Sequence, residues 1–125
     1  MLFRSSHPKV CRLLDLFQDE GNFALVMEFL QGESLGDRLA RGPLPWSEAE
    51  PIFRDVLDAL AALHHDDIIH RDLKPSNVFL TPRGAKLLDF GVASIRRQEE
   101  DASSVMSMKT MAGTAHYLAP EQMRG

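Results

Sequence analysis

His70-Arg71-Asp72-Leu73-Lys74-Pro75-Ser76-Asn77, followed further along by Asp89-Phe90-Gly91, are the two stretches whose reading decides the fold. Between them lie two apolar runs, Val78-Phe79-Leu80 and Ala85-Lys86-Leu87-Leu88, split by Thr81-Pro82-Arg83-Gly84. Pro and Gly in so short a gap mark a tight turn, so the runs are predicted to form a β-hairpin. A hairpin returns the chain to its starting point. Asn77, at one end, is therefore expected close to Asp89, at the other.

That proximity has a chemical use. An Asn side-chain oxygen and an Asp carboxylate are hard oxygen ligands that suit Mg²⁺, an ion that keeps few protein ligands and favours phosphate oxygens. Asp72 is placed to accept a proton from a hydroxyl, and Lys74 to set a positive charge against a phosphate in transfer. Gly91 lets the chain turn sharply after the metal ligand.

These motifs resemble those of protein kinases. The first stretch is similar to the kinase catalytic loop and Asp-Phe-Gly to the kinase magnesium motif. Ala119-Pro120-Glu121 resembles the end of the activation segment. Three motifs in this order are far more specific than any one tripeptide. The resemblance implies ATP and Mg²⁺ as cofactors and a protein Ser or Thr hydroxyl as acceptor. Lys74, Gly113-Thr114 and the Tyr117-to-Glu121 run point to the serine/threonine branch, with a bacterial look. It implies Asp72 as the catalytic base, Lys74 as the charge on the moving phosphoryl group, Asn77 and Asp89 as metal ligands, and Thr114 bonded toward Asp72 and Lys74. Phe79 is expected beneath the adenine.

Composition sets the bounds. The chain has 125 residues, 44% hydrophobic and 26% charged, ordinary for a soluble globular domain. A net charge of −4 gives no bulk pull toward nucleic acid or anionic membranes. A lone cysteine, Cys11, cannot form an internal disulfide and fits a reducing, cytoplasmic compartment. No apolar run reaches the length of a membrane span.

Outward from the decisive stretches, Val10 to Phe17 and Phe23 to Leu30 read as two strands around a turn, with Gly21 and Asn22 suited to positive φ. By resemblance these are the last strands of the kinase small lobe. Met27 then takes the gatekeeper position, Glu28-Phe29-Leu30 the adenine-binding hinge, and Leu13 a place in the apolar column joining the lobes. Gln31 to Ala40 reads as a short helix closed by Arg41-Gly42-Pro43. Ser47-Glu48-Ala49-Glu50 has the pattern of a capping box opening a helix to about His65, with Pro51 in its first turn. Ile52, Phe53, Val56, Leu57, Leu60 and Leu63 form its apolar face, and Arg54, Asp55 and Asp58 fall outside it. His64-His65-Asp66-Asp67 reads as a polar helix end rather than a metal cluster.

Arg96 to Lys109 has no period and reads as a loop. Kinases with Arg beside the catalytic Asp use it to hold a phosphate on this segment. The resemblance thus makes Arg71 the partner of a phosphate on Ser103, Ser104, Ser107 or Thr110.

The expected fold class is α+β, a partial protein-kinase-like fold. Residues 1–30 supply small-lobe strands and hinge, and residues 31–125 the first half of the mainly helical large lobe with catalytic loop and activation segment. There are departures from the family pattern. No Gly-x-Gly-x-x-Gly occurs, and none of Lys9, Lys74, Lys86 and Lys109 lies in a Val-Ala-x-Lys strand. The expectation is a fragment of a serine/threonine kinase domain, inactive alone. A non-catalytic kinase-like binding module and a phosphotransferase acting on small molecules are the alternatives left open.

Overall fold

A computed structural model describes residues 7–88 and 115–124. In chain order the elements are strands β1 (Leu13–Asp19), β2 (Asn22–Met27) and β3 (Glu33–Ser34), helices α1 (Leu35–Ala40) and α2 (Trp46–His65), a 3-10 turn at Pro75–Asn77, strands β4 (Val78–Thr81) and β5 (Gly84–Leu87), a second 3-10 turn at Ala115–Tyr117, and helix α3 (Pro120–Met123).

The predicted hairpin is β4–β5, in the register Val78↔Leu87, Phe79↔Lys86, Leu80↔Ala85, Thr81↔Gly84. Thr81 Oγ1 closes the turn, donating to the Gly84 carbonyl at 2.8 Å and accepting from the Arg83 N–H at 3.2 Å. Directly opposed residues share one face of a sheet. Val78, Leu80, Ala85 and Leu87 therefore turn one way, into a core completed by Val10, Ala59 and Leu63. Phe79 and Lys86 turn the other way, together with Ser34, which pairs with Phe79 across β3–β4.

Helix α2 covers the core face of the hairpin. Ile52, Val56, Leu60 and Leu63 meet it as predicted, with Ala59 at their centre, fully buried. The small Ala59 side chain lets the helix approach the sheet closely. Two features of the predicted stripe are corrected. Phe53 and Leu57 are 61% and 62% exposed, because the stripe that meets β5 runs through 52, 56, 59 and 63 and leaves them at its edge. Asp55, read as outside the stripe, lies on the buried side: it accepts the Ala85 N–H at 2.8 Å and pairs with Lys9 at 2.9 Å.

The helix also starts differently from the expectation. Its N-cap is Pro45, with φ −65 and ψ 152, and no side chain caps it. The Pro45 carbonyl instead accepts from the Glu48 and Ala49 N–H groups, both at 3.0 Å. Proline's fixed φ supplies the entry geometry that the Ser47 box was expected to supply. Pro51 consequently lies in the second turn, where its missing N–H leaves the Ser47 carbonyl without its usual helical donor.

The first apolar run splits in two. Residues 9–11 run parallel to β5, with Cys11 N–H on the Leu87 carbonyl and Leu87 N–H on the Lys9 carbonyl, each 2.9 Å. Only from Leu13 does the chain pair with β2. The β1–β2 turn uses Glu20 (φ 45) and Gly21 (φ 84), two left-handed residues as a two-residue hairpin turn requires; Asn22 is already in the strand. Strand β2 ends at Met27, short of the predicted Leu30. The short helix likewise begins only at Leu35, because Glu33 and Ser34 pair with Leu80 and Phe79. Ser34 caps it, accepting from the Asp37 N–H at 3.0 Å.

Candidate active site

Helix α2 packs on the hairpin, and the chain from Ile68 to Lys74 leads from the end of α2 to the 3-10 turn that opens β4. His70, 2% exposed, anchors this stretch. Its Nδ1 accepts the Asp72 N–H at 3.2 Å, so the ring proton sits on Nε2 and donates to the Leu88 carbonyl at 2.8 Å. The backbone of the loop is thus pinned to the end of β5 by one buried ring. Arg71, between them, has φ 68, a left-handed conformation that costs a non-glycine residue free energy and persists only when its surroundings impose it.

Asn77, 3% exposed, holds the other end. Its Nδ2 donates to the Asp72 carbonyl at 2.8 Å and to Asp72 Oδ2 at 3.3 Å. With the amide nitrogen so used, Oδ1 is the oxygen left for a cation, a neutral hard ligand of the kind Mg²⁺ takes. Lys74 Nζ lies 3.4 Å from the same Asp72 Oδ2. Among the described residues, Asp72 therefore carries two cationic or amide neighbours on one carboxylate oxygen and none on the other. The Leu88 N–H donates to the Asn77 carbonyl at 2.8 Å, which brings Leu88 opposite Asn77.

The second group of predicted residues lies at the β1–β2 side. Met27 pairs with the buried Leu13. Glu28 has left the strand. Its N–H donates to the Arg12 carbonyl at 2.9 Å, and its carboxylate accepts from the Arg12 N–H at 3.0 Å and from Lys86 Nζ at 2.8 Å. Partial burial pushes the Glu28 carboxyl up, but the Lys86 and Arg12 hydrogen bonds outweigh it and leave its pKa below the usual carboxylate value. Phe79 and Leu30 are half-buried and Phe29 is exposed.

The structure thus brings Asp72, Lys74 and Asn77 into one cluster, and ties Glu28 to the sheet face that carries Phe79. Arg71 is exposed beside Asp72. Asp89, Ser103, Ser104, Ser107, Thr110 and Thr114 lie outside the described residues. Two residues with structural claims on the site went unassigned in the sequence. His70 was part of the decisive stretch, yet nothing local distinguishes a buried, doubly bonded ring from a surface one. Lys86 was signalled only by being the charged residue in an apolar strand, directly opposite Phe79.

The described residues form an α+β sheet-and-helix frame that presents Asp72, Lys74 and Asn77 as one cluster. The chain belongs to the protein kinase domain family, which matches residues 1–125. It is 45% identical to the serine/threonine-protein kinase pkn2 of Myxococcus xanthus over all of this chain and 15% of that protein. It is 34% identical to the serine/threonine-protein kinase PrkC of Bacillus subtilis over 95% of this chain and 18% of that protein. The fold matches that of Rad53 1-466 in complex with AMP-PNP, with a TM-score of 0.67 and 35% identity over 73% of this chain and 26% of that one. The chain therefore spans under a fifth of the length of these two bacterial relatives. Among the described residues no helix is long and apolar enough to cross a membrane.

Proposed function

We propose that this chain is the central part of a serine/threonine protein kinase domain that transfers the γ-phosphoryl group of ATP to a Ser or Thr hydroxyl of a protein. The observation that carries the reading is the joint hold on Asp72: Asn77 at 2.8 and 3.3 Å and Lys74 at 3.4 Å. In this reading Asp72 orients the acceptor hydroxyl and takes its proton through the carboxylate oxygen that neither neighbour occupies. Lys74 sits beside it to balance charge on the phosphoryl group in transfer. Asn77 Oδ1 and Asp89 are the protein ligands for Mg²⁺, which neutralises phosphate charge when bound. Thr114 bonds toward Asp72 and Lys74.

The nucleotide reading rests on the other side of the sheet. Glu28 and Leu30 present the hinge backbone to the adenine, with Met27 behind it and Phe79 beneath. Residues 1–30 are assigned to the small lobe and residues 31–125 to the large lobe. Arg71, exposed next to Asp72, is the proposed partner for a phosphate on Ser103, Ser104, Ser107 or Thr110. The match of the whole chain to the kinase family and the AMP-PNP bound by the Rad53 relative support these assignments.

The sequence holds no Gly-rich phosphate loop and no Val-Ala-x-Lys strand. We therefore assign activity to a complete kinase domain carrying this segment, and none to the 125-residue polypeptide alone. The test is Asp72→Asn in the complete domain, with ³²P transfer from ATP to a Ser/Thr protein substrate. Turnover should fall about 10²-fold or more. Unchanged turnover rejects the base assignment. Partner capture that needs neither ATP nor Mg²⁺, with no transfer by the wild type, supports a binding module instead.

A further inference from the structure

The peptide group that joins Arg71 to Asp72 is held from both sides. Its N–H, that of Asp72, donates to His70 Nδ1 at 3.2 Å. Its carbonyl, that of Arg71, accepts from Gln122 Nε2 at 3.0 Å. Gln122 lies on α3, just past Ala119-Pro120-Glu121, and reaches the loop across 51 residues of sequence. The same side chain is fixed at its other end: Gln122 Oε1 accepts the Ala119 N–H at 3.0 Å, closing the start of α3. Both polar atoms of one amide are thus used, one on its own helix and one on the loop.

The geometry matters because Arg71 is left-handed, with φ 68. A residue in that region returns to the ordinary basin unless something holds it. Rotating the Arg71–Asp72 peptide would swing the Asp72 Cα and its carboxylate away from Asn77 and Lys74. His70 holds the N–H from the core side, and Gln122 holds the carbonyl from the outside.

We propose that Gln122 is a positioning residue: it orients the peptide that carries Asp72 and ties that orientation to the α3 end of the activation segment. The role rests on the kinase reading above. Substrate docking near α3 would in this way meet a catalytic carboxylate already set. Glu keeps the acceptor that caps α3, and is a favoured residue for that place in a capping box. It has no hydrogen to donate to the Arg71 carbonyl. Gln122→Glu therefore keeps the cap and removes the tether, whereas Gln122→Met removes both.

In a complete kinase domain carrying this segment, kcat and the KM values for ATP and protein substrate would be measured for wild type, Gln122→Glu, Gln122→Met and Asp72→Asn, with thermal melts confirming folding. The expected result is a kcat lower by about 5-fold or more in both Gln122 variants, with the KM for ATP unchanged. A folded Gln122→Glu with wild-type kcat, alongside an impaired Gln122→Met, assigns Gln122 to capping alone and overturns the proposal. If Gln122→Glu melts early, Gln122→Lys provides the second arm. It can still donate to the carbonyl but cannot cap, so the proposal requires its kcat to exceed that of Gln122→Met, and equal values refute it. Loss of activity in Asp72→Asn with none in Gln122→Glu sinks the tether and spares the kinase reading. Full activity in Asp72→Asn sinks both.

Discussion

Asn77 holds Asp72 by backbone and side chain at once, through one amide nitrogen 2.8 Å from the carbonyl and 3.3 Å from Oδ2. The hold follows from the Pro75–Asn77 3-10 turn, which folds the chain back so that a residue five positions on faces the carboxylate. Asn77→Ala should therefore act twice. It removes the oxygen proposed for Mg²⁺, and it removes the amide donor from the Asp72 carbonyl and Oδ2, leaving only Lys74 beside the carboxylate. We expect turnover in a complete domain to fall about 10²-fold or more, with a loss of stability of about 1–2 kcal/mol from the broken hydrogen bonds. Turnover assays over a Mg²⁺ titration, paired with denaturant unfolding, check both parts. High Mg²⁺ should not restore wild-type rate, because the positioning of Asp72 is lost as well.

Glu28 and Lys86 give a prediction that depends on pH. The folded-state pKa of Glu28 lies below its ordinary 4.5. The pair therefore contributes stability that is present above about pH 4.5 and lost as pH falls through the lowered folded value. Lys86→Met should cost about 1 kcal/mol at pH 7 and progressively less in acid. Glu28→Gln should abolish most of that difference, so a double-mutant cycle in a complete domain gives a coupling near the full cost of Lys86→Met. Since Lys86 stands opposite Phe79 and holds Glu28, which we propose lies in the adenine-binding hinge, Lys86→Met should also raise the KM for ATP more than it lowers kcat. A pH-independent melting difference between wild type and Lys86→Met would refute the ion-pair account.

Much of this arrangement was legible in the sequence. The β4–β5 hairpin and the long helix follow from Pro and Gly in the turn and from apolar spacing, which are local signals; the expected nearness of Asn77 to Asp89 falls on a residue outside the described ones. What escaped was set by tertiary contact. Asp55 reads as a solvent residue until β5 offers it an N–H. Val10 reads as continuous with β1 until Leu87 takes its neighbours. Ser47 reads as a cap, but Pro45 already supplies the turn into the helix. His70 and Gln122 are polar residues whose partners, Leu88 and Arg71, are distant in sequence, and no period or spacing announces them.

Gly32 shows how closely the connection between β2 and β3 is packed. Its φ is 137, and a Cβ there would overlap the Leu80 carbonyl oxygen on β4. Gly32→Ala must therefore both strain its own backbone and push β4 away, and β4 carries Phe79. We expect a loss of about 3 kcal/mol or more, beyond ordinary surface substitutions. Gly21, with φ 84 in the β1–β2 turn, has open space around it. Gly21→Asn should cost well under about 1 kcal/mol, since Asn tolerates that region. Thermal melts of the two variants in one complete domain make the comparison direct, and similar losses would mean that backbone conformation, not the Leu80 contact, sets the cost.

Asp55 joins three segments that are separate in sequence: α2, the start of β5, and the run through Lys9 that lies along it. Its Oδ2 accepts the Ala85 N–H at 2.8 Å and its Oδ1 meets Lys9 Nζ at 2.9 Å, with the two side chains only 17% and 26% exposed. Asp55→Ala leaves the Ala85 N–H unpaired next to the core and Lys9 half-buried without a counter-charge, for an expected loss of about 2–4 kcal/mol. Asp55→Asn keeps an oxygen for Ala85 and loses only the charge, so about 1 kcal/mol is expected. Lys9→Met removes the cation but keeps an apolar stem, and should cost no more than Asp55→Asn because the carboxylate retains its backbone donor and some access to water. Denaturant unfolding of the three variants in a complete domain should rank Asp55→Ala well below the other two. If Lys9→Met were as damaging as Asp55→Ala, the ion pair rather than the Ala85 hydrogen bond would be what fastens α2 to the hairpin.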